Sequence, residues 1–167
     1  EKTRRIASLL KGISVQQFYH VLALIPLSVG VEAVVRELKN RGNMLAIISD
    51  SYTLATEWLR KKLGFDYTVA NELILGNDRI SGEIKMPLGW SNPEEQCLKH
   101  SVCKLNALIQ LSQKTGIPLE RCVAIGDNLS DVCMVEKAGL GIAFNPKHPK
   151  LEEVADIVIT EDLSCIL

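Results

Sequence analysis

The chain has 167 residues, a formal net charge of −1 and 47% hydrophobic residues, with its charges well mixed along its length. That is enough for one domain or slightly more around a real core, and it leaves no basic footprint for nucleic acid or an anionic membrane. The longest apolar stretch, from Val21 to Val31, is broken by Pro26 and Ser28 and is too short to span a bilayer.

Residues 1–27 read as helical. Ile6, Leu9, Leu10 and Ile13 share one face, Gly12 and Ser14 mark an end and a new start, and Phe18, Val21, Leu22 and Ile25 continue to Pro26. A further helix is expected from Gly30 to Arg41, with Val31, Val34, Val35 and Leu38 inward and Gly42 as its stop. Met44 to Ile48 is an apolar run of strand length that ends in Ser49-Asp50-Ser51. A helix follows from about Thr53, with Leu54, Trp58, Leu59 and Leu63 inward, and stops at Gly64.

Asp66 to Ala70 reads as a strand, and Leu73 to Ile84 as a separate hairpin around Gly76-Asn77-Asp78. Met86 to Ser91 reads as loop. Asn92-Pro93-Glu94-Glu95 carries the capping pattern of a helix start. Lys104 stands at or near the start of a long helical segment with Leu105, Leu108, Ile109 and Leu111 inward, ended by Gly116 and Pro118. Val123-Ala124-Ile125 reads as a buried strand that stops at Gly126 and presents Asp127 and Asp131, with Met134, Val135 and Ala138 at helical spacing behind them. Strands at Gly139–Phe144 and Asp156–Ile159 complete the chain. Alternating helices and continuously apolar strands define an α/β class, a doubly wound parallel sheet covered on both faces.

Five cysteines (97, 103, 122, 133 and 165) form no C-x-x-C pair, which fits a reducing, cytoplasmic setting. Cys122 and Cys133 flank the acidic turn and read as small core residues. Cys97, His100 and Cys103 step around a helix in threes and lack a fourth ligand, so a zinc site is the weaker reading.

Three loops carry complementary chemistry. A serine hydroxyl with free backbone N–H groups at Ser49-Asp50-Ser51 suits a phosphate oxygen. Lys104 supplies a point positive charge for the same anion. Asp127 and Asp131, at the carboxyl end of a strand where ligands bind in open α/β sheets, suit a hard cation, Mg2+ above all. Singly these are a turn serine, a solvated lysine and a helix cap. Together they read as three grips on one phosphoryl group.

In these residues the chain resembles the haloacid dehalogenase superfamily of Mg-dependent phosphohydrolases, and within it the phosphoserine phosphatases. Leu38-Lys39-Asn40-Arg41-Gly42, Asp66 to Leu73 with Ala70-Asn71, and Gly139 to Phe144 fit the same pattern. The resemblance implies that Ser49 and the Asp50 N–H bind phosphate, with Ser130 close by. It implies that Lys104 pairs with the phosphate and the nucleophile, that Asp127 ligates Mg2+, and that Asp131 orients metal-bound water or Lys104. It makes residues 1–27 the distal part of a helical cap and residues 28–167 the catalytic core, and the substrate a small phosphorylated metabolite of serine biosynthesis.

The departures are specific. Asp50-Ser51 stands where Gly-Gly is common, and Ser130 where Asn is usual. Arg5 lies one step from the expected cap arginine position, which falls on Ile6, and the Met86–Gln96 loop is longer than usual. The family's Asp-x-Asp motif, source of the attacking carboxylate, occurs nowhere in the chain, whose first aspartate is Asp50. Its strand would lie between those ending at Ser49 and Asp127. Position 1 is Glu and the first methionine is Met44, so a clipped or partial chain is expected, with the nucleophile upstream. Two other readings stay open: a non-catalytic phosphate-binding or regulatory module, and a phosphotransferase acting on a second alcohol.

Overall fold

The computed structural model describes residues 2–87 and 101–167. The expected helix start at Asn92–Glu95, the rest of the long loop, and Cys97 and His100 lie outside them. Contacts divide the chain into two compact units, Glu1–Ser28 with Val35–Val102, and Val29–Val34 with Cys103–Leu167.

In the first unit, helix α1 (Lys2–Leu9) is followed by α2 (Val15–Ala23). The break at Gly12 and Ser14 arises because Gly12 adopts a left-handed φ of 85° and Ser14 caps α2 reciprocally with Gln17. The linker between the two is stitched to a later hairpin: the Gly12 N–H donates to Ile80 O, the Ile80 N–H to Ile13 O, and Arg79 Nη1 to Gly12 O at 2.7 Å. Ala7, at the base of α1, is wholly buried with Tyr52, Leu73 and Ile80. The expected apolar face is only partly covered. Leu10, Ile13 and Phe18 pack on that cluster, whereas Leu9, Val21 and Ile25 are exposed.

Helix α3 (Val31–Asn40) ends two residues before Gly42, which takes a left-handed φ of 76°. Strand β1 (Ala46–Tyr52) begins two residues later than the apolar run and continues through Ser49-Asp50-Ser51 to the start of α4 (Thr53–Leu63). Those three residues are therefore extended backbone rather than a post-strand turn, with a register irregularity between Ile48 and Tyr52. Thr56, not an apolar residue, is the buried side chain of α4.

The expected strand at 66–70 and the first arm of the hairpin are one strand, β2 (Tyr67–Gly76). It pairs parallel with β1 through residues 67–71 and antiparallel with β3 (Arg79–Lys85) through 72–76. The two-residue turn is Asn77-Asp78, both at positive φ, the geometry that a tight hairpin demands. Asp66, just ahead of β2, holds this unit together locally. It accepts from Lys39 Nζ at 2.7 and 2.8 Å and from the Leu45 N–H at 2.8 Å. The Lys39 hydrogen bond first, and the Leu45 N–H second, hold the Asp66 carboxyl below its ordinary range. A depressed native pKa stabilises the fold above the unfolded value of about 3.9 and is lost as pH falls through the native value. Asp66→Asn is therefore expected to cost about 0.5–1 kcal/mol at neutral pH, and the cost should shrink toward pH 3 in acid denaturation profiles. An equal loss at all pH values would contradict this.

In the second unit, α5 (Lys104–Thr115) begins at Lys104 and ends on Gly116 at a left-handed φ of 71°, burying Ala107 and Leu108. Strands β4 (Val123–Gly126), β5 (Leu140–Phe144) and β6 (Ile157–Ile159) form a parallel sheet in that order. They are linked by α6 (Val132–Lys137) and α7 (Pro149–Val154). Met134, Val135 and Leu151 fill the space against the sheet. Gly141 allows that approach, since a Cβ would sit 2.4 Å from Val135 O, and Gly139 allows the chain to pass Glu120, whose carbonyl a Cβ would meet at 2.0 Å. Cys133 is exposed and Cys122, between the turn at Leu119–Arg121 and β4, is half-buried, so neither is the core residue expected.

The α/β class stands, with parallel pairing in both units. The expected single sheet is present as two three-stranded pieces. Among the described residues, β1 and β4 each pair on one side only. Val123 on β4 is correspondingly 55% exposed for a residue of strand character. No helix of the described residues is long and apolar enough to cross a membrane.

Candidate active site

The carboxyl end of β4 is built around one close approach. At Gly126 a Cβ would lie 2.3 Å from Asp131 Cβ, so only glycine lets the Asp131 side chain fold back over the strand end. Asn128 then starts a 3-10 turn (Leu129–Asp131), its side chain accepting from the Leu129 N–H at 2.8 Å. Asp131 closes the turn from the other side. Its Oδ2 accepts from the Asp127 and Asn128 N–H groups at 3.1 and 3.0 Å. Its Oδ1 accepts from Lys104 Nζ at 2.5 Å. Asp131 is buried, its side chain 3% exposed, and Lys104 is largely covered at 12%. Ser130 sits half-buried in the same turn.

The four-residue spacing thus gives the two carboxylates different tasks. Asp131 is committed to Lys104 and to the turn. Asp127 faces outward, 47% exposed, and its Oδ2 accepts from Lys147 Nζ at 2.5 Å. Lys147 follows β5, where Asn145 takes a positive φ of 44° and turns the chain. Its backbone N–H also donates to Asp127 O at 2.8 Å, so the lysine is leashed to Asp127 twice. The Asp127 hydrogen bond raises the Lys147 pKa.

An ammonium on the Asp127 carboxylate shows that this oxygen can hold a cation. A single hard carboxylate fits Mg2+, which keeps several waters and needs one or two protein carboxylates. Among the described residues no group of three or more His, Cys, Asp or Glu side chains could hold a metal by itself.

In the first unit, Ser49 lies in β1 and its Oγ accepts from the Ser51 N–H at 3.1 Å. Asp50 directs its carboxylate elsewhere, accepting at Oδ1 from Ser101 Oγ (3.1 Å) and the Val102 N–H (3.0 Å). Wholly buried Asn71 donates through Nδ2 to Asp50 O at 2.8 Å, Ser51 O at 3.2 Å and Ser101 Oγ at 2.9 Å. Arg5 is exposed on α1. The structure brings Lys104, Asp127 and Asp131 together within the second unit, and Ser49 and Asp50 belong to the first.

Sequence reasoning did not single out Lys147, Ser101 or Asn71 as parts of these clusters. Lys147 carried a signal in Asn145-Pro146-Lys147, a turn at the carboxyl end of a parallel strand. Asn71 carried only its place in the Ala70-Asn71 pair and Ser101 carried none, since their partners lie 20 or more residues away.

A family model described as haloacid dehalogenase-like hydrolase matches residues 1–136. Phosphoserine phosphatase of Methanocaldococcus jannaschii is 36% identical over 168 residues, covering 100% of this chain and 74% of that protein. The Archaeoglobus fulgidus phosphoserine phosphatase is 35% identical over 92% of this chain, which spans only 42% of that longer relative. Among solved structures, a phospho-aspartyl intermediate analogue of phosphoserine phosphatase superimposes with a TM-score of 0.79 at 35% identity, covering 98% of this chain and 73% of that one. A substrate-bound phosphoserine phosphatase complex superimposes with a TM-score of 0.80 at 35% identity, over the same shares.

Proposed function

The chain belongs to the haloacid dehalogenase-like hydrolases, and from that membership we propose that it is phosphoserine phosphatase-like, hydrolysing O-phospho-L-serine to L-serine and phosphate with Mg2+. What supports this reading is the division of labour at the β4 end: one carboxylate closed on a largely covered lysine, the other open to a cation.

In this reading Ser49 Oγ and the Asp50 N–H hold phosphate oxygens. Lys104 places its ammonium against the phosphoryl group, and Asp131 keeps that ammonium oriented rather than solvated. Orientation by a buried carboxylate lets the charge act in a low-dielectric site without reorganisation during the reaction. Asp127 would hold Mg2+, which supplies charge neutralisation at the phosphoryl oxygens when bound. Lys147 must release Asp127 Oδ2 for this, and an exposed, solvent-screened pair of that kind is readily broken. Ser130 lines the same turn, and Arg5 on α1 is the candidate for the substrate carboxylate. The attacking carboxylate and the general acid/base come from residues that these 167 do not contain. Attack at phosphorus would transfer the phosphoryl group to that carboxylate and release the serine alkoxide, protonated by the acid. Water then hydrolyses the acyl phosphate.

The test is phosphate release from a panel of small phosphomonoesters by the protein at its natural length, with and without Mg2+. Mg-dependent release from O-phospho-L-serine is the expected result. Retained phosphate binding without turnover on any ester would instead favour a binding module, and phosphate appearing on an added alcohol would favour a phosphotransferase.

A further inference from the structure

A carboxylate next to a phosphate-binding serine is an electrostatic liability unless it is turned away and used. Asp50 meets both conditions. Ser49 Oγ accepts from the Ser51 N–H while the Asp50 carboxylate turns to Ser101 and Val102, so the two side chains have separate partners. The Asp50 Oδ1 is held by two donors, the Ser101 hydroxyl and the Val102 N–H.

Behind it, Asn71 donates to the carbonyls of Asp50 and Ser51 and to Ser101 Oγ, which makes Ser101 a relay that accepts from Asn71 and donates to Asp50. Asn71 is wholly buried, yet its Oδ1 has no partner among the described residues. An unsatisfied buried carbonyl costs stability. A leucine there would release everything that its Nδ2 holds. That is the backbone on the carboxyl side of Ser49.

We propose that Asp50 is a positioning residue: clamped by Ser101 and Val102 and backed by Asn71, its carboxylate sets the backbone of the Ser49 phosphate-binding segment. The same clamp tethers the chain three and two residues ahead of Lys104. The role rests on the phosphatase reading for its ligand, but it needs only the acceptor oxygen of residue 50 and not its charge.

The experiment compares Asp50→Ala, Asp50→Asn, Ser101→Ala and the Asp50→Ala/Ser101→Ala double variant in the protein at its natural length. It reads KM and kcat for O-phospho-L-serine, the inhibition constant of inorganic phosphate, and phosphate affinity by calorimetry. Asp50→Ala is expected to raise KM and the phosphate constants together by about five- to tenfold, the worth of roughly one net hydrogen bond, with a smaller change in kcat. Asp50→Asn retains an acceptor oxygen and should recover most of that loss. Ser101→Ala should fall between, and the double variant should be no worse than Asp50→Ala.

Phosphate affinity in Asp50→Ala equal to wild type overturns the proposal, and so does an Asp50→Asn variant as impaired as Asp50→Ala. If Asp50→Ala does not fold, Ser101→Ala and Asp50→Asn decide by the same comparison. A wild-type protein that binds phosphate but turns over no ester defeats the phosphatase reading alone, because calorimetry still compares the variants. A wild-type protein that binds no phosphate defeats both.

Discussion

Lys104→Met is expected to lower both stability and activity, and the stability loss is the more diagnostic. The substitution keeps the length of the stem and removes the ammonium, leaving Asp131, only 3% exposed, without its Oδ1 partner. Breaking one side of a buried ion pair costs about 3–5 kcal/mol because a charge is left uncompensated. Here the Asp127 and Asn128 N–H groups still serve Oδ2, so the lower end applies. At about 2–4 °C per kcal/mol for a chain of this size, that is a melting shift of roughly 6–12 °C. Adding Asp131→Asn to Lys104→Met should restore part of it, since a neutral amide no longer needs the ammonium. The double variant should remain inactive, because in the proposed reading Lys104 is the cation that faces the phosphoryl group. A Lys104→Met protein that melts with wild type would show that the pair is not covered as described.

Asp127→Asn is expected to do the opposite: to abolish turnover and leave the fold alone. Its side chain is 47% exposed and its partner Lys147 is 66% exposed, so losing this solvent-screened ion pair should leave stability near that of wild type. As the carboxylate that would hold Mg2+, it should cost more than the roughly 10–100-fold seen when mere supporting partners of a metal ligand are removed. Circular dichroism and melting temperature should stay near wild type while kcat/KM falls by more than about 100-fold and Mg2+ affinity drops. Undiminished turnover at saturating Mg2+ would put the metal on other residues.

The two outcomes differ because of where the carboxylates sit on one short turn. Both were legible as a motif, since Gly126, Asp127 and Asp131 keep their spacing whatever surrounds them. Their separate tasks were not. The closed state of Asp131 depends on Lys104 arriving from another helix, and the open state of Asp127 on the loop that carries Lys147. The β1 segment shows the same division. Ser49 was readable as a hydroxyl at the end of an apolar run, whereas the orientation of Asp50 depends on Ser101, 51 residues further on.

Sequence alone determined the α/β alternation, the stops at Gly42, Gly64 and Gly116, and the Asn77-Asp78 turn. These follow from backbone sterics and periodicity, which act within a few residues and need no partner. Tertiary structure alone decided which apolar faces are covered. Leu9, Val21 and Ile25 have the spacing of a buried face and remain exposed, while Ala7, Thr56 and Asn71 are enclosed. It also joined residues 66–70 to the hairpin as one strand, because β1 and β3 arrive on successive halves of β2. Burial and long-range hydrogen bonds are properties of pairs, and no single segment contains its own partner.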